Sequence, residues 1–146
     1  GLVAHDDAEE RFLKTPSELK DLIVIAMAGR AAEIQEFGEA SSGIASDLAA
    51  ATTMASQLIG LLGAGDSLLS LEAAQMPGAG NLVAKVLHDE SSRAQADAMV
   101  KAAADRAACM LIEHRITLLS IAQSLGDRDE LTSDEVHRLV DAARVG

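Results

Sequence analysis

The chain has 146 residues and a formal net charge of −11 at pH 7, with 49% hydrophobic but only 1% aromatic residues. This negative charge argues against nucleic acids and anionic membranes as partners, because both present phosphate surfaces. The longest strongly apolar run, "LIVIAMA" at 22–28, is far shorter than the roughly 20 residues that cross a bilayer. We therefore expect a domain with its own core and no membrane contact by this segment.

The first predicted helix follows an extended or irregular stretch at 1–14. "TPSE" at 15–18 predicts the helix start, because Thr15 and Glu18 can form a capping box around Pro16. The helix is expected to run to Phe37 and to end at Gly38. Helical spacing predicts a buried stripe made of Leu19, Leu22, Ile23, Ala26 and Met27.

A second helix is predicted from Ser46 to Leu62, after a turn at "SSG", 41–43. Its expected buried face consists of Leu48, Ala51, Ala55, Leu58, Ile59 and Leu62. Gly63 and Gly65 should end it. Residues 63–80 then read as a connecting loop, with a short helical turn expected at "LLSLEAA".

A long helical region is predicted over 81–113, with an interruption at "HDESS", 88–92, where Asp and Ser compete for backbone hydrogen bonds. Its expected seam consists of Met99, Ala103, Ala107, Met110 and Leu111. Cys109 lies in the apolar run "AACMLI" and is predicted to be a core residue.

Two shorter helices complete the prediction. One covers 115–125, with Leu118, Ile121, Ala122 and Leu125 turned inward. "GDRDE" is a polar turn, and the capping box "TSDE" at 132–135 opens a last helix that ends near Ala143. The expected fold class is all-α, a bundle of five to six helices forming a single helical domain over 1–146.

No complete active site is written in the sequence. The four histidines, His5, His88, His114 and His137, are widely spaced, and none belongs to the HExxH pattern of zinc hydrolases. The sequence also lacks a GxxxxGK[ST] nucleotide loop and a GxSxG nucleophile motif.

Asp47 has two readings. It follows the small, polar turn "SSG" and lies at the start of the second predicted helix. A carboxylate there can simply interact with the free N–H groups and the dipole of the helix. It can also be one ligand of a metal site whose other ligands lie elsewhere.

The stretch "MAGRAAEIQEFGEASSGIASDLAAATTMA", 27–55, resembles the FtsH-type family of ATP-dependent zinc metalloproteases. The family pattern is approximately GGRAAEE-x-x-FG, a TGA-rich turn, an Asp-Leu pair and an alanine-threonine helix. "EERFLKTPSELKD", 9–21, and "ADRAACMLIEHRITLLSIAQSLGDRDELTSDEV", 104–136, are similar to flanking parts of the family. The resemblance therefore covers nearly the whole chain and implies the C-terminal helical part of the peptidase domain.

The resemblance implies that Asp47 is the third zinc ligand, with two histidine ligands and a glutamate base supplied by an HExxH segment upstream of this chain. Arg30, Ser42 and Gly43 become candidate supporting residues around that ligand. Arg30 is expected to pair with Glu33, Glu36 or Asp47.

Some positions depart from the family pattern. Ala28 replaces the first glycine of the usual pair, and Ile44, Ala45 and Ser46 replace a commoner Ala-Ser-Asn. Ala104 stands where an aromatic residue is usual, and the loop at 63–80 is unlike that of the family. These differences indicate a divergent member.

The resemblance further implies a parent protein that is an ATP-driven zinc endopeptidase acting on unfolded or membrane proteins as a homo-hexamer. ATP and Mg would bind to an ATPase module that is absent from this chain. Any membrane anchor would also be absent from it, and the segment would lie on the cytoplasmic side. The isolated chain is then expected to be inactive.

Two alternatives remain open. One is a helical interaction or oligomerisation module that kept the fold and lost catalysis. The other is a helical bundle with only accidental similarity, in which Asp47 is exposed and no other ligand converges on it.

Overall fold

The computed structural model describes residues 14–73 and 80–144, and every regular element in those ranges is helical. The helices are α1 Pro16–Phe37, α2 Ala45–Gly60, α3 Leu82–His88, α4 Glu90–Glu113, α5 Arg115–Arg128 and α6 Ser133–Arg144. A single turn of 3₁₀-helix, Ser42–Ile44, precedes α2. The predicted all-α bundle of five to six helices is confirmed. Expectations that concern 1–13 and 74–79, including His5, Pro77 and Gly78, lie outside the described residues.

Helix α1 begins and ends where its sequence predicts. The Thr15 hydroxyl accepts a hydrogen bond from the Glu18 N–H, and the Glu18 carboxylate accepts one of 2.7 Å from the Thr15 N–H. Gly38 follows the last turn with φ 79°, a left-handed conformation that glycine adopts without steric cost. The predicted capping box and glycine stop are both confirmed.

The core lies where α1, α2 and α4 pack on one another, with α3 covering the end of α2. The buried apolar residues in the described part are Leu19, Ile23, Met27, Ala31, Ala51, Ala55, Leu58, Ile59, Val86, Ala96, Ala103 and Ala107. Half of these are alanines, whose small side chains let helix axes approach closely. The core is thus built from close helix contacts and a few larger aliphatic side chains.

The buried face of α2 is narrower than predicted. Ala51, Ala55, Leu58 and Ile59 are buried, but Leu48 and Leu62 are exposed. Leu62 lies outside the helix, because α2 ends at Gly60 and the chain turns away at Leu61. Leu48 lies in the first turn of α2, where it lines an open groove between α2 and α4. The helical turn expected in "LLSLEAA" is absent from residues 68–73, which carry only a turn at 71–72.

The predicted break between α3 and α4 occurs at Asp89. Its carboxylate accepts a 2.8 Å hydrogen bond from the Ser92 N–H and so caps α4. Hydrogen bonding from the Ser92 side chain, and then from the Ser92 N–H, lowers the pKa of Asp89. Ala103 and Ala107 are buried as predicted, whereas Met110 is exposed. Cys109 is exposed too, so its assignment to the core was wrong. Met110 shares the helix face of Ala103 and Ala107 but is 44% exposed near the end of α4, whereas Cys109 lies on another face of the helix.

Helix α5 was expected to bury Leu118, Ile121, Ala122 and Leu125, but none of its residues is buried. The reason is its position: α5 contacts α6 and the end of α4, and no described helix covers its remaining faces. The turn between α4 and α5 falls at His114, as predicted. Arg115 of α5 pairs with Glu36 of α1 at 2.7 Å. The predicted polar turn begins later than "GDRDE", because α5 continues to Arg128.

Helix α6 starts at the second predicted capping box. The Glu135 carboxylate accepts hydrogen bonds of 2.9 Å from both the backbone N–H and the hydroxyl of Thr132, and it pairs with Arg128 at 2.6 Å. The backbone N–H of Thr132, the Arg128 guanidinium and the Thr132 hydroxyl together lower the pKa of Glu135 from 4.5 to about 2.

The α5–α6 hairpin should therefore loosen in acid. Because the pKa of Glu135 is depressed in the folded state, its contribution is fully present above pH 4.5 and is lost as the pH falls toward 2. We expect hydrogen exchange across α6 to accelerate over that interval, after correction for the intrinsic rate. Glu135→Gln should flatten this pH dependence, whereas Glu130→Gln should leave it unchanged. An identical profile in wild type and Glu135→Gln would contradict the assignment.

Candidate functional site

Asp47 lies in the first turn of α2, just after the turn that connects α1 to α2. The residue is exposed, and its Oδ2 lies 3.6 Å from the position that a Cβ on Gly29 of α1 would occupy. No hydrogen bond or ion pair within the described ranges engages the Asp47 carboxylate. Among the residues that the structure describes, nothing occupies either of its oxygens, and both can accept a ligand.

The turn that leads to Asp47 is held from α1. The Glu33 carboxylate accepts hydrogen bonds from the Ser41 N–H at 2.5 Å and from the Ser41 hydroxyl at 3.2 Å. The Ser41 hydroxyl oxygen in turn accepts one of 3.3 Å from the Gly43 N–H. These contacts fix the backbone just before the 3₁₀ turn and the start of α2.

Arg30, the first of the residues predicted to support Asp47, does not form the predicted ion pair. Arg30 is half-buried, and in the described part of the chain it makes no ion pair with Glu33, Glu36 or Asp47. Glu33 is engaged by Ser41, and Glu36 by Arg115.

Ser42 and Gly43 form the 3₁₀ turn. The backbone at Gly43 does not adopt a positive φ, so the turn does not require glycine for that reason. A Cβ there would lie 3.3 Å from Ser41 Oγ, which makes close packing the constraint at this position.

One carboxylate cannot hold a metal ion alone. Across residues 14–73 and 80–144, no group of three or more His, Cys, Asp or Glu side chains is positioned to bind an ion. His88, His114 and His137 are all exposed, and His88 Nδ1 lies 2.8 Å from the Ala84 carbonyl oxygen. A carboxylate oxygen is nevertheless a normal zinc ligand, so Asp47 fits the chemistry of one ligand in a larger set.

Two surface grooves flank α4, and Asp47 lines neither of them. One, of about 550 Å³, lies between α2 and α4 and begins at Leu48. The other, of about 530 Å³, lies between α1, α4 and the loop after α2, with Lys20 and Arg106 at its rim. Among the described residues, none of the helices has the length and apolar character that a membrane crossing requires.

The link between Glu33 and Ser41 is the feature that sequence reasoning missed. Glu33 is one of three acidic residues predicted as partners of Arg30, together with Glu36 and Asp47. The actual partner lies eight residues later, beyond the end of α1. The available signal was local: a helix stop at Gly38 turns the chain back, and this brings Ser41 alongside the last turns of α1.

Comparison with known proteins places this geometry in context. Residues 1–139 match the model of peptidase family M41. The chain is 30% identical over 145 residues to "ATP-dependent zinc metalloprotease FtsH" of Methylococcus capsulatus, covering 90% of this chain and 22% of that protein. It is 34% identical over 142 residues to "ATP-dependent zinc metalloprotease FtsH 1" of Symbiobacterium thermophilum, covering 93% and 22%.

The FtsH of Bacillus subtilis is similar to the same extent, at 30% identity over 142 residues, with 91% of this chain and 22% of that protein covered. The chain thus spans about a fifth of the length of these curated relatives. Asp47 is exposed, as the hypothesis of accidental similarity expected, but matches over nearly the whole chain overturn that hypothesis. With a family match that includes α1, the turn, Asp47 and α2, the chain belongs to peptidase family M41.

Proposed function

We propose that this chain is the helical, C-terminal part of the peptidase domain of an ATP-dependent zinc metalloendopeptidase, and that Asp47 is its third zinc ligand. The observation that carries the proposal is a carboxylate whose oxygens no described residue occupies, at the start of α2, in a chain of this peptidase family.

The chemistry assigned to the site follows from its ligand set. When bound by two histidines and a carboxylate, zinc activates a water molecule and polarises the peptide carbonyl. Asp47 would supply the anionic oxygen of that set, and the histidines and the general base would come from an HExxH segment outside these 146 residues. The packed core of α1, α2 and α4 would keep the carboxylate in a constant position.

The wider properties of the parent protein belong to the same proposal. The names of the relatives describe ATP-dependent zinc metalloproteases, and we infer the same dependence here. The proposal includes unfolded or membrane proteins as substrates, ATP and Mg in a separate ATPase module, a homo-hexameric ring, and a cytoplasmic location of this domain in a membrane-anchored parent. Residues 1–146 would form one helical domain that is inactive by itself.

A second candidate function, binding to another protein or to a second copy of this chain, is favoured by exposed apolar residues near the turn between α4 and α5. Ile112 and Ile116 are 66% and 82% exposed, and Phe37 is 77% exposed. Large apolar side chains left in water are typical of surfaces that bind other proteins. A non-catalytic interaction or oligomerisation module would need this surface and would not need Asp47.

The deciding experiment uses the protein in a form that includes the upstream segment. Bound zinc per chain and hydrolysis of an unfolded protein are measured for wild type, Asp47→Ala and Asp134→Ala. Asp134 is a matched control, because it is also an aspartate in the first turn of a helix. We expect Asp47→Ala to lose zinc and hydrolysis together, Asp134→Ala to keep both, and a chelator to reproduce the Asp47→Ala result in wild type.

Other outcomes assign the chain differently. Equal zinc content and hydrolysis in the two aspartate variants would show that Asp47 is only a helix-end carboxylate. Absence of both zinc and hydrolysis in the wild type, with oligomerisation lost in Ile116→Asp, would favour the interaction module.

A further inference from the structure

The start of α2, like that of α5, lacks a side-chain cap, whereas α1, α3 and α4 each have one. Thr15, Asn81 and Asp89 each accept a hydrogen bond from the first turn of their helix. The corresponding residue of α2 is Ile44, whose side chain has no acceptor. The backbone before α2 is instead held in the preceding 3₁₀ turn, where the Ser41 hydroxyl oxygen accepts from the Gly43 N–H.

Glu33 bonds to this turn from the neighbouring helix, α1. Its two carboxylate oxygens accept hydrogen bonds from the N–H and the hydroxyl of Ser41. The Ser41 hydroxyl oxygen in turn accepts a hydrogen bond from the Gly43 N–H, so the contact extends into the 3₁₀ turn. Hydrogen bonds to an ionised carboxylate are stronger than neutral ones. The connection joins α1 to the 3₁₀ turn by two bonds, which restrains both the position and the direction of the turn.

The same face of α1 also meets the far end of this segment. Gly29 lies one helical turn before Glu33, and Asp47 Oδ2 lies 3.6 Å from the position that a Cβ on Gly29 would occupy, an ordinary contact distance. Glu33 thus restrains the beginning of the segment 41–47, while Gly29 lies against its end. The two carboxylates have different states: among the described residues, that of Glu33 is engaged and that of Asp47 is not.

We propose that Glu33 is a positioning residue for the metal site: its bonds to Ser41 set the turn 41–44 and thereby the direction of the Asp47 carboxylate. This inference rests on the proposed function, in which Asp47 binds zinc. In this proposal Glu33 acts through Ser41, from which both of its oxygens accept hydrogen bonds.

The test compares Glu33→Ala, Glu33→Gln and Ser41→Ala in the protein that includes the upstream segment. Glu36→Ala is the matched control, because Glu36 lies on the same helix and its partner, Arg115, is outside the turn. Three quantities are measured: the zinc dissociation constant by chelator competition, hydrogen exchange over residues 39–46, and the thermal midpoint of the zinc-free protein.

We expect Glu33→Ala to weaken zinc binding roughly 10- to 100-fold, the range found when groups that orient a metal ligand are removed. Exchange at the Ser41 and Gly43 amides should accelerate, while the zinc-free thermal midpoint should differ little from that of Glu36→Ala. Glu33→Gln should recover part of the affinity, since its amide oxygen can still accept from the Ser41 N–H. Ser41→Ala should behave between wild type and Glu33→Ala.

The proposal is overturned if Glu33→Ala and Glu36→Ala bind zinc equally well, even when exchange in the turn has accelerated, because Glu33 would then be a structural link only. Asp47→Ala, measured in parallel, separates this failure from failure of the proposed function. If Asp47→Ala itself keeps full zinc affinity, Asp47 is not a ligand and the positioning role falls with it. If Glu33→Ala does not fold, Glu33→Gln and Ser41→Ala decide the question.

Discussion

Leu58→Ala should lower the free energy of unfolding by about 2 to 5 kcal/mol, the range for removing a buried leucine side chain. Leu58 is 0% exposed and belongs to the core cluster formed by α1, α2 and α4. Truncation removes its dispersion contacts and leaves a cavity among stiff helices that cannot close over it. Urea-induced unfolding followed by circular dichroism would give the change.

Leu62→Ala is the control for this prediction. The sequence pattern puts Leu58 and Leu62 on one face, but Leu62 lies beyond the end of α2 and is 43% exposed. Its truncation should cost about 1 kcal/mol or less. Equal losses for the two variants would mean that α2 continues through Leu62 and that its buried face is the one expected from periodicity.

Gly60→Val should destabilise the fold by about 3 kcal/mol through overpacking. Gly60 is buried at the end of α2, where a Cβ would lie 2.7 Å from Val86 Cγ2 and 2.9 Å from Leu82 Cδ1. Val86 is fully buried and β-branched, so it cannot move aside by changing rotamer. The extra side chain would therefore have to push α3 away from α2.

The matched control is Gly126→Val. Gly126 also lies inside a helix, α5, but a Cβ there would meet nothing within 4 Å. Its change in unfolding free energy should stay within about 0.5 kcal/mol. Val86→Ala should partly rescue Gly60→Val, because it removes the atom with the closest contact. Similar stabilities for Gly60→Val and Gly126→Val, or no rescue by Val86→Ala, would refute the close packing of α2 on α3.

The helix boundaries could be predicted because they are set by neighbours in sequence. At the start of α1, the four residues Thr-Pro-Ser-Glu form the capping box by themselves. At its end, Gly38 adopts a positive φ without help from any distant residue, because glycine has no Cβ. The break at Asp89 is equally local, since the carboxylate bonds to Ser92 three residues later.

The buried faces were less predictable, because burial depends on which helix lies opposite. Periodicity shows that α5 has an apolar side, but it does not show whether another element covers that side. In the structure α5 packs only against α6 and α4 among the described helices with substantial contacts, and Leu118 and Leu125 are exposed. Cys109 was assigned to the core from an apolar run, which does not tell which of its members faces the core, and it is exposed. Met110 has the spacing of the seam but lies near the end of α4 and is 44% exposed.

The candidate site shows the same division. Asp47 could be singled out from the order of residues around it, and its position at the start of α2 agrees with that reasoning. The role of Glu33 could not, because it depends on how the chain turns after Gly38 and returns along α1. Arg30 was assigned charged partners from sequence proximity, yet Ser41 and Arg115 engage two of those partners instead.

The central claim is that Asp47 is a zinc ligand, and the zinc dissociation constant of the protein with its upstream segment tests it most directly. Competition with a chromogenic chelator should show binding at least about 100-fold weaker in Asp47→Ala than in wild type, since losing a ligand should cost no less than losing a group that orients one. Asp134→Ala should match wild type. Equal zinc affinity in wild type, Asp47→Ala and Asp134→Ala would contradict the claim and leave Asp47 as an aspartate at a helix end.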